Sequence, residues 1–198
     1  MNAGTFKGRR ERCIDAMKAA GCNLLLLAKP SNMYYLTGDG RLCAYVMVTD
    51  QGKVASGVPR TDVDDAKQVA YCDQVEGFDD EIGMIHSIAA YFKQFGVDRG
   101  TVGLEYTYLT QSMMGIMTHP HAKPPAVVPA DCTPVMSGLR IVKDGDEIDR
   151  LRKSAQVADA GMKAAIENMR VGMTESQVAA EAEYAADAFA ARLTEKAS

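Results

Sequence analysis

At 198 residues the chain is long enough for one sizeable domain, or for a domain with an appendage. An apolar fraction of 47% beside 24% charged residues is ordinary for a globular protein, and a formal charge of −4 gives nucleic acid or an anionic membrane no electrostatic hold. The longest dense apolar run, residues 24–28, is far short of the roughly 20 residues a membrane helix needs and lies too far in, behind a charged helix, for a signal-peptide core, so a cytoplasmic protein with neither nucleic acid nor membrane as partner is expected.

Residues 7–20 carry Cys13, Ile14, Met17 and Ala20 at helical spacing, with Gly21 placed as a C-cap. Lys7, Arg9, Arg10 and Arg12 on the same helix are expected on a solvated face. "NLLLLA", ended by Pro30, is a continuous apolar run, the pattern of a strand buried on both faces. The next stretch, "NMYYLTG" (32–38), has aromatics too crowded for a solvent loop and too many polar ends for a plain strand. "CAYVMVTD" and "KVASGV" then read as a hairpin turning at residues 50–53. A short helix is predicted over 62–71 and a short strand over 74–78. From 81 to 95, Ile82, Ile85, Ile88, Phe92 and Phe95 form one helical stripe closed by Gly96. "TVGLE" (101–105) is another short buried strand, 109–118 a helix stopped by Pro120, and Val127-Val128 a last strand between prolines. Strands alternating with helices, plus one hairpin, make this an α/β sheet with helices on its faces.

The pattern changes near residue 140, and no strand signal follows Asp144. Ile148, Leu151, Ala155, Ala158, Met162, Ala165 and Met169 recur in steps of three and four, which predicts one long helix over 144–170. Thr174 followed by Gln177 fits a capping box for a second helix, with Val178, Ala182, Ala185 and Phe189 on its apolar side. Two such helices cannot bury both their faces against one another alone.

Catalytic chemistry is harder to find. Five cysteines, an odd number with no C-x-x-C pair, argue against a disulfide framework and a zinc knuckle and are expected as buried reduced thiols. A hydrolytic metal site needs several carboxylates or histidines converging from separate elements. The carboxylate clusters at Asp62/Asp64/Asp65, Asp79/Asp80/Glu81 and Asp144/Asp146/Glu147 each sit where a helix begins, and negative charge there meets the helix dipole. His119-Pro120-His121 has no third ligand at recognisable spacing and reads as a surface turn; His86 reads as a half-exposed packing residue. Nucleophile elbows, dinucleotide fingerprints and phosphate loops are missing from the sequence. The residues alone therefore give a mixed α/β domain, a helical extension and no catalytic set.

Four strings in order carry a resemblance: "NMYYLTG", the "VGLE" of 102–105, the "LRIVKDGDEIDRLRKS" of 139–154 and the "VGMTE" of 171–175. With the arginine-rich first helix, the chain over about 9–190 resembles the creatinase, prolidase and aminopeptidase P superfamily. The resemblance implies a ribonuclease H-like mixed sheet with flanking helices over residues 1–138. Residues 139–198 would then be a linker and the first two helices of a pita-bread catalytic domain. It implies a parent hydrolase, an Xaa-Pro dipeptidase or aminopeptidase acting on small peptides, with two divalent ions (manganese or cobalt) on two aspartates, one histidine and two glutamates. Those ligands belong to the catalytic domain, so no residue here inherits a catalytic or metal role. It also implies a homodimer in which the loop after "NMYYLTG" lies near the interface and approaches the partner's active-site mouth. Tyr35, Asp39 and Arg41 are the candidate access and interface residues, Asp39 and Arg41 offering charges suited to a peptide's ends. The residues by themselves leave open whether the tyrosines simply fill core and the loop simply turns. A creatinase-type amidinohydrolase fragment, or a stand-alone non-catalytic interaction domain, are the other functions the sequence allows.

Overall fold

The computed structural model describes residues 3–195, which divide into two compact units, 1–142 and 143–198. The first unit is built on a six-stranded mixed sheet in the order β4-β3-β2-β1-β5-β6. Its strands are β1 (Leu24–Leu27), β2 (Tyr45–Thr49), β3 (Val54–Pro59), β4 (Gln74–Phe78), β5 (Arg99–Leu104) and β6 (Ala126–Asp131). β2 pairs antiparallel with β1 and β3, while β3–β4, β1–β5 and β5–β6 are parallel. Around the sheet lie α1 (Ala3–Ala19), α2 (Pro30–Thr37), α3 (Val63–Val69), α4 (Glu81–Phe95), α5 (Gln111–Met117) and α6 (Thr133–Ile141).

The four leucines of β1 explain the sheet's central position. Side chains alternate across a strand, so Leu25 and Leu27 enter one core with α1, α2, α3 and α6, through Met17, Met33, Leu36, Ala66 and Met136. Leu24 and Leu26 enter the other, with Ile88, Tyr91 and Phe92 of α4 and Met117 of α5. All four are fully buried, as expected of a strand covered on both faces. The hairpin turns at 50–53, and β4 and α4 occupy the residues their patterns predicted. Within α4, however, Ile82 is 63% exposed: it lies in the first turn, beyond the reach of the sheet, and Tyr91 supplies buried area instead.

Two helices depart from the sequence reading. "NMYYLTG" forms most of α2, with Pro30 in its first turn, where the missing N–H costs nothing, and Gly38 as a left-handed cap (φ 80°) donating to Tyr34 O. α6 has no counterpart among the predicted elements. Pro134 lies in its first turn, where a proline favours a helix start.

The basic face of α1 is only partly solvated: Lys7 and Arg12 are exposed as expected, but Arg9 is buried and Arg10 half-buried. Arg9 is 1% exposed, stacks over the Tyr35 ring at 4.6 Å and donates to Tyr35 O at 3.3 Å. Arg10 Nε donates to Leu36 O at 3.1 Å. These carbonyls end α2, so the guanidiniums meet the negative end of its dipole. At the opposite end, Glu105 leaves the tip of β5 fully buried. Its Oε2 accepts from Ala28 N (2.7 Å) and Lys29 N (2.8 Å), and its Oε1 from Asn32 Nδ2 (2.5 Å). Asn32 Oδ1 in turn accepts from Arg140 of α6 at 2.6 Å.

The second unit is an antiparallel pair, α7 (Gly145–Asn168) and α8 (Glu175–Glu195). Asp144 and Glu147 form a reciprocal capping box at the start of α7, and Thr174 and Gln177 do the same for α8. The expected apolar stripe of α7 is not the face that α8 covers: Leu151, Met162 and Met169 stay 55–64% exposed and Ile148 39%. α8 lies against Gly161 instead, where an added Cβ would come within 3.0 Å of Ala182 O. Small residues let two backbones approach, and that closeness outweighed the larger side chains.

Gly57 gives the fold its sharpest steric test. A Cβ there would sit 2.1 Å from the ring of Tyr45, which is wholly buried and bonded through its hydroxyl to Ser87 at 2.7 Å. Gly57→Ala is expected to destabilise the first unit by about 1–3 kcal/mol through overpacking, read as a lowered thermal midpoint. An unchanged midpoint would mean that the Tyr45 ring can move aside freely.

Candidate functional site

The 37–41 loop follows α2 and is fixed by its own polar groups. Thr37 Oγ1 donates to Met33 O at 2.8 Å and accepts from Asp39 N at 3.2 Å, and Asp39 Oδ1 accepts from Arg41 N at 3.3 Å. Gly40 passes so close to α2 that a side chain would meet Pro30 O at 2.6 Å. Arg41 then reaches back across the unit. Its Nε pairs with Asp39 at 2.7 Å, its Nη2 with Asp65 at 2.8 Å, and its Nη1 with the Asp62 carboxylate at 3.5 Å and the Asp62 carbonyl at 3.3 Å. Burial works against the guanidinium's charge, but hydrogen bonds from Asp39 and Asp65 more than offset it and hold its pKa above the ordinary value.

The candidate residues therefore divide. Tyr35 is 3% exposed, inside the core, with its hydroxyl donating to Leu139 O at 3.2 Å and accepting from Arg12. Asp39 and Arg41 meet, but as partners of each other: their side chains are 10% and 14% exposed. An arginine tied to three carboxylates presents no free fork to a ligand. The residues that face outward flank the loop: Tyr34 of α2, and Leu42 and Cys43 just after it, at 38% and 72% exposure for the first two, with Cys43 in the left-handed region at φ 57°. Asp62 and Asp65, read from the sequence as dipole partners of a helix, serve the arginine as well. Their pairing with Arg41, more than twenty positions away, leaves no local signal.

Other sequence candidates are dispersed. Asp80 caps α4, accepting from Gly83 N at 2.7 Å. His119 and His121 stack at 5.3 Å in the turn before β6, and His86 is exposed rather than packed. Among the described residues no group of three or more His, Cys, Asp or Glu could hold a metal ion. Among them, too, no helix is long and apolar enough to cross a membrane. Cys13, Cys22 and Cys132 are buried, as expected of packing thiols; Cys72 is half-buried, and Cys43 is exposed, which corrects that expectation. Burial pushes the thiols of Cys13 and Cys72 up to about 12 and raises those of Cys22 and Cys132.

Sheet order, helical cover and this self-contained loop define a mixed α/β domain of the kind that begins the prolidases. The chain belongs to the Creatinase/Prolidase N-terminal domain family, which matches residues 9–142. It is 26% identical over 181 residues to an Xaa-Pro dipeptidase of Pyrococcus furiosus, a match covering 90% of this chain and 48% of that protein. It is 30% identical over 192 residues to a probable dipeptidase, PepE, of Mycobacterium tuberculosis, covering 91% and 48%. Among solved structures, an Xaa-Pro dipeptidase from Bacillus anthracis gives a TM-score of 0.76 at 23% identity, over 92% of this chain and 49% of that one. The prolidase from Pyrococcus furiosus gives 0.71 at 25% identity, over 90% and 52%. The chain thus spans about half the length of the curated relatives it matches.

Arg41→Ala removes the charge that gathers three carboxylates, and a loss of about 1–3 kcal/mol is expected from the hydrogen bonds to charged groups. Amide exchange should accelerate over residues 37–43; unchanged protection there would show that Thr37 and the glycines hold the loop unaided. Thiol chemistry gives a second check. Raised pKa values keep the buried thiols protonated at pH 8, and the thiolate is the nucleophile. Titration of the folded chain with an aromatic disulfide should therefore show one fast thiol, abolished by Cys43→Ser. Two or more fast thiols would contradict the packing around Cys13 and Cys72.

Proposed function

We propose that this chain is the N-terminal, non-catalytic portion of a metal-dependent Xaa-Pro peptidase-like hydrolase, serving oligomerisation and access to the active site. One observation carries the reading. The family match, residues 9–142, coincides with the mixed α/β unit, and the relatives named Xaa-Pro dipeptidase run to about twice the length of this chain. The two divalent ions, manganese or cobalt, and the ligands for them then fall to the other half of such a protein. The open stripe of α7 supports the same reading. Leu151, Met162, Ile166 and Met169 are each more than half exposed on one helix, and apolar faces of this extent are unusual on a complete monomer.

Within that protein the 37–41 loop acts as a rigid edge rather than a charged clamp. Tyr34 and Leu42, exposed on either side of it, suit contact with a second subunit in a homodimer, and its internally neutralised Arg41 holds that contact surface in shape. A cytoplasmic setting agrees with five unpaired cysteines. The family name covers creatinases as well as prolidases, so an amidinohydrolase parent is the second reading; the peptidase comes first because the relatives above are dipeptidases.

A longer form of the protein that carries this chain, loaded with manganese or cobalt, is expected to release proline from an Xaa-Pro dipeptide. Residues 1–198 alone are expected to release none under the same conditions. Turnover that tracks the purified 198-residue chain through a contamination control overturns the non-catalytic assignment. Hydrolysis of creatine in place of the dipeptide by the longer form overturns the peptidase assignment.

A further inference from the structure

The sheet has a switch in its winding between two adjacent parallel strands. After β1 the chain turns into α2, which packs in the core with Leu25 and Leu27; after β5 it proceeds to α5, which packs in the opposite core with Leu24 and Leu26. Where successive connections leave neighbouring parallel strands toward opposite faces, a crevice opens outside the carboxyl ends of the strands, and open α/β sheets bind their ligands there. In this protein that place holds a cavity of about 70 Å³, lined by Lys29 after β1, Glu105, Thr107 and Tyr108 after β5, and Ser137 and Arg140 of α6 among others. Such a volume takes about five water-sized occupants at 10–15 Å³ each, enough for a carboxylate and the carbon that bears it, with the rest of a ligand lying outside the crevice.

The lining says what those atoms should be. Glu105 is committed, its two oxygens taken by Ala28 N, Lys29 N and Asn32 Nδ2. The two threonine hydroxyls of the lining are committed as well: Thr133 donates to Asp131 at 2.6 Å, and Thr107 lies 3.3 Å from Thr133. The side chains of Lys29, Tyr108 and Ser137 make no hydrogen bond or ion pair among the described residues, and all three can donate. Lys29 and Arg140 bring positive charge to the lining beside the carboxylate of Glu105. A cavity with one buried carboxylate already saturated, and with uncommitted donors around it, is matched to an acceptor.

We propose that this crevice binds a small carboxylate, with Lys29, Tyr108 and Ser137 as its donors. The ligand is a free amino acid or the carboxylate end of a short peptide. The proposal concerns the N-terminal unit by itself and is independent of whether the longer protein is a peptidase.

The test is an amide chemical-shift titration of the 198-residue chain with sodium acetate, proline and the dipeptide alanyl-proline, against sodium chloride at equal ionic strength. Saturable shifts centred on Lys29, Thr107, Tyr108 and Ser137 are expected with acetate and proline, and none with chloride. Tyr108→Phe combined with Ser137→Ala should weaken binding by about a hundredfold, the loss of two hydrogen bonds to a charged acceptor. Because Tyr108 is 38% exposed and Ser137 is exposed, the variant should keep the parent's melting temperature, which separates lost binding from lost folding. Dipeptide binding as tight as that of proline identifies a peptide terminus as the ligand, and weaker dipeptide binding identifies a free amino acid. Shifts that do not saturate, that chloride reproduces, or that survive the double substitution at full strength overturn the proposal.

Discussion

The buried carboxylate of Glu105 is the constraint from which the first unit is organised. An ionised carboxylate in an apolar interior is costly unless it is paired and hydrogen-bonded. Here the cost is met by two backbone N–H groups and a side-chain amide, all from residues 28–32. Hydrogen bonds to a charged acceptor are the stronger kind, and these three fix the chain where it leaves β1 against the chain where it leaves β5. Asn32 carries the link onward to Arg140, so that α6 is tied to the same point. One side chain thereby sets the spacing of three elements at the carboxyl end of the sheet.

The helix that begins at this point could not stand alone. α2 has eight residues, its N-cap Lys29 makes no side-chain cap, and isolated helices of that length are marginal in water. Its ends are completed by other elements: Glu105 supplies negative charge at the N-terminal side, and Arg9 and Arg10 supply positive charge at the last carbonyls. Both placements agree with the helix dipole. This is why Arg9 is buried and Arg10 half-buried although arginine is mostly a surface residue. It also explains a segment with crowded aromatics: Tyr35 is held between Arg9, Arg12 and Leu139, and Tyr34, one position back, faces outward.

Much of the fold was legible because its signals are local. The continuous apolar run of β1, the hairpin of β2 and β3, the stripe and cap of α4, and the capping box at Thr174 each depend on residues close in sequence. The features that were not legible depend on distant partners. Arg9 looks like any other helical arginine until Tyr35 is folded onto it, and Asp65 looks like a dipole residue until Arg41 arrives. Glu105 carried a physical clue, since a carboxylate that ends a buried apolar strand has no water to turn to and must find donors. The candidate loop was read for its charges one residue at a time. Folding joins those charges to each other, and a pairing across more than twenty positions has no periodicity to betray it.

The second unit inverts that relation between sequence and packing. Its apolar period was plain, yet α8 covers a different face of α7, the one with Gly161 at its centre. Backbone approach explains the choice: dispersion rises steeply with contact, and at Gly161 the Ala182 carbonyl comes nearer than any large side chain would permit. The larger residues are thus not spent on the hairpin. A helix with one face of small residues and another of Leu151, Met162 and Met169 has two packing surfaces of different kinds, and the hairpin uses only the first. The sequence period reported the surface with the greater apolar area, which is the one still open, and burying it at roughly 25 cal/mol per Å² remains available to whatever packs there.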